Sequence, residues 1–216
     1  MFSKTLCALG LVALGASTPA LAQSTWAGAF VGINAPSTSI ETSLRTDGSP
    51  SGSSSLVGGI YLDQQISDLF SFRVGVFYVS RETSIRFQDP INNLPPIDAD
   101  YKLGFLEFPF QLKATFRRDQ KIEPYLFIGP SVGVRLSAKS DNTSGTARQE
   151  FDVGDQFGSF SVAVAAGAGV RFLVSPRVAL SGEASYSVGL TNLAKATGNS
   201  WKQRDFRAMV GLEFGF

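Results

Sequence analysis

The feature that most constrains this chain is a period of two in its apolar residues. In the last segment Phe206, Ala208, Val210, Leu212, Phe214 and Phe216 hold the even positions, and Arg207, Met209, Gly211, Glu213 and Gly215 hold the odd ones. Successive side chains of a strand point to opposite faces, so this segment carries one apolar face and one mixed face. Residues 160 to 174 repeat the arrangement. Phe160, Val162, Val164, Ala166, Ala168, Val170, Phe172 and Val174 share one face, with small residues and Arg171 on the other. At roughly 3.3 Å per residue, such a segment crosses a bilayer even when tilted by about 40°.

Comparable segments fall at about 26 to 35, 55 to 67, 70 to 87, 99 to 117, 122 to 139 and 177 to 191. With the two above they predict an all-β fold, an eight-stranded antiparallel up-and-down transmembrane β-barrel. The connections alternate in length. Short turns lie at Ser67-Asp68-Leu69, Arg117 to Lys121 and Ser175-Pro176-Arg177, and longer polar stretches near 36 to 54, 88 to 98, 140 to 156 and 192 to 200. Outer-membrane barrels have this asymmetry, with short turns in the periplasm and long loops outside. The mean hydropathy of +0.09 is spread over alternating segments, with no second long apolar run.

The first residues read as an export signal. Lys4, an apolar run from Leu6 to Leu14, and Ala20-Leu21-Ala22 before Gln23 match its charged, apolar and small-residue regions. The N-terminal stretch, interrupted by Gly10, Gly15 and Pro19, is too short for a transmembrane helix, which needs roughly 20 apolar residues. The expected organisation is a signal peptide over 1–22 and an outer-membrane barrel over 23–216. Cys7 leaves with the signal, so the mature chain offers no disulfide and no thiolate chemistry. It also balances 18 basic against 18 acidic residues, which gives no electrostatic footprint for nucleic acid.

Aromatic residues are expected as girdles at strand ends. Trp26, Phe70, Phe72, Phe116, Phe172, Phe214 and Phe216 map to the periplasmic ends, and Phe87, Tyr101, Phe160 and Phe206 to the outer rim. Pro109 and Pro130 fall inside long strands, where proline removes a ladder donor. Between 99 and 117 the apolar parity slips: Tyr101, Leu103 and Phe105 are odd, while Leu106, Phe108, Phe110 and Leu112 are even. A bulge near Gly104 to Leu106 is expected to reconcile the two halves.

Two segments carry a family resemblance. Phe105-Leu106-Glu107-Phe108-Pro109-Phe110-Gln111-Leu112-Lys113 and Pro124-Tyr125-Leu126-Phe127-Ile128-Gly129-Pro130 resemble the central strands of PorT-like outer-membrane β-barrels. The likeness is sharp over about 100 to 135 and takes in the terminal Phe216. It implies a small eight-stranded barrel in a Gram-negative outer membrane, and it transfers no catalytic residue. Phe216, with Phe214 and Leu212 on the same face, is also similar to the signal by which the barrel-assembly machinery captures a last strand.

With the alternating face turned to lipid, the inward set includes Asp63, Arg73, Glu107, Lys113, Arg135, Arg171, Glu183, Arg207 and Glu213. A barrel of about eight strands is only wide enough for side chains to fill it, so these charges are expected to interlock as a structural ion-pair network. A proton path, a narrow pore or a ligand site are the alternatives. The chain contains no histidine, the general base that enzymes on such barrels commonly use, so no enzyme is expected. Glu107, Glu183 and Glu213 read better as arginine partners.

No cofactor or metal site is expected either. Asp141, Glu150, Asp152 and Asp155 are the candidates for a hard cation, but their spacing matches no calcium loop. Gly167-Ala168-Gly169 and Gly129 to Gly133 sit within alternating strands and open no helix, which argues against a phosphate loop. The low-complexity stretch from Asp47 to Ser55 reads as a solvated loop.

The leading expectation is a non-enzymatic, monomeric barrel with a structural or interaction role. Its partners are outer-membrane lipid, the assembly machinery during insertion, and an unknown extracellular or periplasmic partner. A narrow pore for a small solute or ion is the second reading, and a soluble periplasmic barrel holding a lipid-like ligand the third.

Overall fold

The computed structural model describes residues 25–41, 51–87, 97–118, 120–144, 147–193 and 200–216. The expected signal over 1–22 lies outside them. In chain order the strands are β1 (Thr25–Glu41), the short β2 (Ser51–Ser53), β3 (Ser55–Gln65), β4 (Phe70–Phe87) and β5 (Ile97–Thr115). They continue with β6 (Ile122–Ser144), the short β7 (Ala147–Asp152), β8 (Phe160–Ser175), β9 (Val178–Gly189) and β10 (Ser200–Gly215). A 3-10 turn at Gly154–Gln156 precedes β8.

Eight of these strands close into a ring, in the order β1, β3, β4, β5, β6, β8, β9, β10 and back to β1. Every pairing in it is antiparallel. The seam between β10 and β1 is laddered from Trp26 opposite Gly215 to Glu41 opposite Ser200. Closure removes the open edges that would otherwise face lipid unpaired.

The ring is taller than the alternation alone indicates, because polar residues that the alternation leaves out of the strands, near 36 to 54, 140 to 156 and 200 to 205, are partly laddered. Residues 36–41 and 200 to 205 extend the seam, β2 pairs β4, and β6 continues past residue 139 to pair both β5 and β7. Polar sequence hides these extensions: a strand with water on both sides needs no apolar face and leaves no period of two to read.

Parity decides what each strand shows to lipid. Val31, Ile60, Leu62, Leu126, Ile128, Leu180, Val210 and Leu212 are exposed on the outer wall, while Asp63, Arg73, Lys113, Arg171 and Glu213 are buried inside. This is the inverse of a soluble barrel with an apolar cavity.

Three sequence expectations are corrected by the packing. First, β5 keeps one parity throughout, with Leu103, Phe105, Glu107, Gln111 and Lys113 all buried on the inner side. The register shift does fall between Gly104 and Phe105, but their partners on β6 are Ser137 and Arg135. The extra residue is therefore Leu136 on β6. Beyond it the inward set changes from odd to even, which buries Ala138 and Ser140.

Second, Trp26 does not join a girdle: it is 8% exposed and turned inward, with the Arg171 guanidinium 4.5 Å from its ring centroid. Third, Tyr101 faces an inner apolar cluster of Leu103, Phe105, Ala138, Val153, Phe157 and Leu193. Its ring meets Phe157 edge-on at 6.0 Å. Phe70, Phe72, Phe116, Phe160, Phe172, Phe206, Phe214 and Phe216 are exposed on the outer surface. The side chain of Phe87 lies outside the described residues.

The two prolines interrupt the ladder on either side of β5. Pairing with β4 lapses between Val74 opposite Phe110 and Phe77 opposite Glu107, and pairing with β6 lapses between Pro109 opposite Ser131 and Leu112 opposite Ile128. Proline has no N–H to donate. At the second gap the strands approach so closely that a Cβ on Gly129 would overlap the Phe110 carbonyl.

Candidate functional site

Among the described residues buried charge is concentrated in the lumen, where it stands at three levels. At the short-turn end Lys113 Nζ lies 2.6 Å from Asp63 Oδ2. Arg171 reaches the same oxygen at 3.3 Å, contacts Glu123 at 3.4 Å and pairs with Glu213. Ser181 also donates to Glu213.

In the middle, Arg73 Nη1 donates to Glu183 Oε2 at 2.8 Å, and the Tyr125 hydroxyl donates to the same oxygen at 3.0 Å. The Arg73 guanidinium lies 4.6 Å from the Tyr61 ring centroid and 5.4 to 5.7 Å from those of Phe30, Tyr125 and Phe127. A cation held among π-faces is stabilised by their quadrupoles as well as by its carboxylate. The aromatic shelf fits because small residues face it: a Cβ on Gly169 would overlap the Tyr125 ring.

Above it, Arg81 binds Glu107 at 2.5 Å and Asp205 at 2.6 Å, and Arg207 binds the same two carboxylates at 2.8 and 3.1 Å. Asn34 Oδ1 accepts from Arg207 Nε at 3.4 Å. The apolar cluster around Leu103 and Phe105 lies at the long-connection end. Gly158 N donates to the Leu193 carbonyl at 2.8 Å there, tying two of the connections together across the top.

Each level contains a pair from strands four positions apart on the ring, which is its full width. Arg171 on β8 meets Asp63 on β3, Arg73 on β4 meets Glu183 on β9, and Arg207 on β10 meets Glu107 on β5. The charges therefore cross the lumen rather than line it. Low-dielectric surroundings make an isolated charge untenable there, and pairing lets these persist.

Eight of the nine inward charges singled out in the sequence meet in these levels. Arg135 does not: it is half-buried next to the β6 bulge, and its Nη1 donates to the Phe157 carbonyl at 2.5 Å. Near the top of the barrel, backbone of the folded-in connection replaces a carboxylate. Sequence reasoning missed Arg81, Glu123 and Asp205, although each shares parity with a residue it did place, Arg73, Arg135 and Arg207 respectively.

Among the described residues no group of three or more His, Cys, Asp and Glu side chains could hold a metal ion. Asp141 lies 3.6 Å from Lys102, and Asp152 Oδ1 accepts from the Gly154 N–H at 2.8 Å. Asp155 is exposed, and the Glu150 side chain lies outside the described residues.

A closed antiparallel ring with an apolar outer wall and a charge-paired interior defines an outer-membrane β-barrel protein. The chain belongs to the outer membrane protein beta-barrel domain family, whose model matches residues 21–195. Among solved structures it is similar to outer membrane protein OprG from Pseudomonas aeruginosa, at 15% identity over 90% of this chain and 95% of that one, with a TM-score of 0.55. Neisserial surface protein A is similar at 16% identity over 89% and 97%, with a TM-score of 0.49. No curated protein matches the chain significantly. The protein resides in the outer membrane of a Gram-negative bacterium. In such barrels the short turns face the periplasm and the long connections face outward.

Proposed function

We propose that this barrel is electrically closed and non-enzymatic, exported by cleavage after Ala22, and that it acts as a monomeric structural or interaction protein. Its outward extensions are the surface offered to a partner outside the cell. The observation that carries this reading is the stack of three cross-lumen ion pairs beneath an apolar plug. Each arginine on the axis is held by one or more carboxylates from another strand, and together they occupy the path an ion would take. The absence of histidine from the sequence supports the non-enzymatic part.

The extended β4, β5 and β6, with β2 and β7 alongside, supply a sheet above the lipid band for such contacts. Within the segment that resembles PorT-like barrels, Glu107 stands in the upper ion-pair level and Pro109 at a ladder gap. The test is conductance of the purified protein in planar bilayers. A silent membrane at physiological salt is expected, and discrete channel steps would replace this reading with the narrow-pore one.

A further inference from the structure

The outer wall carries an apolar cavity of about 460 Å³ where β9, β10 and β1 meet, lined by Ala29, Val31, Leu180, Val210 and Leu212, among others. Small residues beside large ones lower the wall here. Ala29 stands opposite Leu212, and Gly182 stands opposite Val210 with nothing within 4 Å of a Cβ placed on it.

Followed outward along β10, the same face passes half-buried Ala208 and then exposed Phe206, Arg204 and Lys202. Phe206 is directly opposite Tyr186, which is also exposed, and aromatic residues of this kind sit at the headgroup boundary of a bilayer. Arg204 lies just beyond that pair, opposite Val188 on β9 and Ser37 on β1. Neither Arg204 nor Lys202 makes an ion pair among the described residues. Asp205 between them in register turns inward to Arg81 and Arg207, and Glu41, opposite Ser200, stands two residues beyond Lys202.

Val210 lies six residues below Arg204, roughly 20 Å along the strand at about 3.3 Å per residue. With a strand tilt of about 40°, that is about 15 Å of depth, half of a hydrocarbon core of roughly 30 Å. An acyl chain whose headgroup rests on Arg204 therefore ends in the cavity.

We propose that this face binds one molecule of lipid A, the phosphorylated glycolipid of the outer leaflet. Arg204 and Lys202 hold a phosphate, and one acyl chain follows β10 past Phe206 into the cavity beside Ala29. The planar guanidinium fork matches phosphate oxygens. A monoester phosphate carries more charge and more free oxygens than the diester of a phospholipid, which favours lipid A at these cations. A second copy docked about an axis along the membrane normal would bring its own Arg204 and Lys202 to the same height, so like charges would meet.

The test is native mass spectrometry of the barrel of residues 23–216, released from detergent micelles after titration with bisphosphorylated lipid A. Phosphatidylglycerol and phosphatidylcholine serve as comparisons. One lipid A per barrel is expected, saturating at lower concentration than either phospholipid. Arg204→Gln and, independently, Lys202→Gln should each weaken binding about fivefold, the factor that one cation contributes near an anionic headgroup. Ala29→Phe fills the cavity with both cations intact and should weaken binding at least as much. Heat-modifiable gel mobility checks that each variant is folded. Equal retention of phosphatidylglycerol, or binding unchanged in folded Arg204→Gln or in folded Ala29→Phe, overturns the proposal. A dimer that Ala29→Phe disperses also overturns it, by making the cavity a contact between copies.

Discussion

Arg73 and Glu183 join opposite walls of the barrel, Nη1 to Oε2 at 2.8 Å, with both side chains about 2% exposed. The contact uses one nitrogen. Arg73 Nε and Nη2 have no hydrogen-bond acceptor, and the guanidinium lies instead among four rings. The carboxylate in turn is shared with the Tyr125 hydroxyl.

Glu183→Ala therefore leaves an uncompensated cation at the centre of the barrel. It should lower unfolding free energy in lipid vesicles by about 3–5 kcal/mol, whereas Arg73→Met combined with Glu183→Met should recover much of that loss. Urea titrations followed by aromatic emission read both, and a double variant no better than the single one would refute the assignment.

On the proposed closed lumen, the three ion-pair levels should shield the interior from solutes. Because residues 23–216 contain no cysteine, a single thiol introduced into a protein of those residues reports its surroundings cleanly. Ser185→Cys, inward and 7% exposed, should resist a hydrophilic maleimide over a time that labels Ser137→Cys, exposed at the outer end, to completion. Comparable labelling rates would mean that water-soluble reagents enter the lumen.

Two glycines on neighbouring strands should respond in opposite ways. A Cβ on Gly169 meets the Tyr125 ring, so Gly169→Val should lower the unfolding midpoint by displacing the aromatic shelf. At Gly182 nothing lies within 4 Å, and Gly182→Ala should stay within about 0.5 kcal/mol of the parent. Equal effects in the same urea assay would contradict the inward placement of Tyr125.

Val210 stands on the outer wall between Phe206 and Phe214 along β10. Val210→Arg should cost about 2–4 kcal/mol in a bilayer, and Phe206→Arg, nearer the outer interface, should cost markedly less. Refolding yields and urea midpoints in vesicles rank the two, and the reverse ranking would place the lipid band elsewhere on the wall.

How much of this was legible in the sequence depends on whether the lumen at a given height is polar. Along β10 and β8 it is, so apolar meant outward and the alternation located both faces. Along the outer half of β5 it is not. Tyr101, Leu103 and Phe105 are apolar because they plug the barrel, and the same rule then suggested a parity slip in β5 where none exists. The bulge on β6 left no comparable trace, since its two consecutive exposed residues, Leu136 and Ser137, differ in polarity and the buried residue that follows is the small Ala138. Inward charges could be found by parity, and Arg81, Glu123 and Asp205 were findable in that way. Which charge meets which could not: partners four strands apart depend on strand stagger, which only the closed ring fixes.

The sequence separation of these partners carries a consequence for how the protein enters its membrane. Arg73 and Glu183 are 110 residues apart and Arg171 and Asp63 are 108, so neither pair can form inside a single hairpin. Arg81 and Arg171 also find a carboxylate on a neighbouring strand, but among the described residues Arg73 pairs only with Glu183 across the ring. A sheet not yet curled, immersed in lipid, would hold Arg73 without its counter-ion, at a cost no single strand pairing offsets. Insertion and curling should therefore proceed together, because the step that brings β4 opposite β9 is the one that discharges the centre of the barrel.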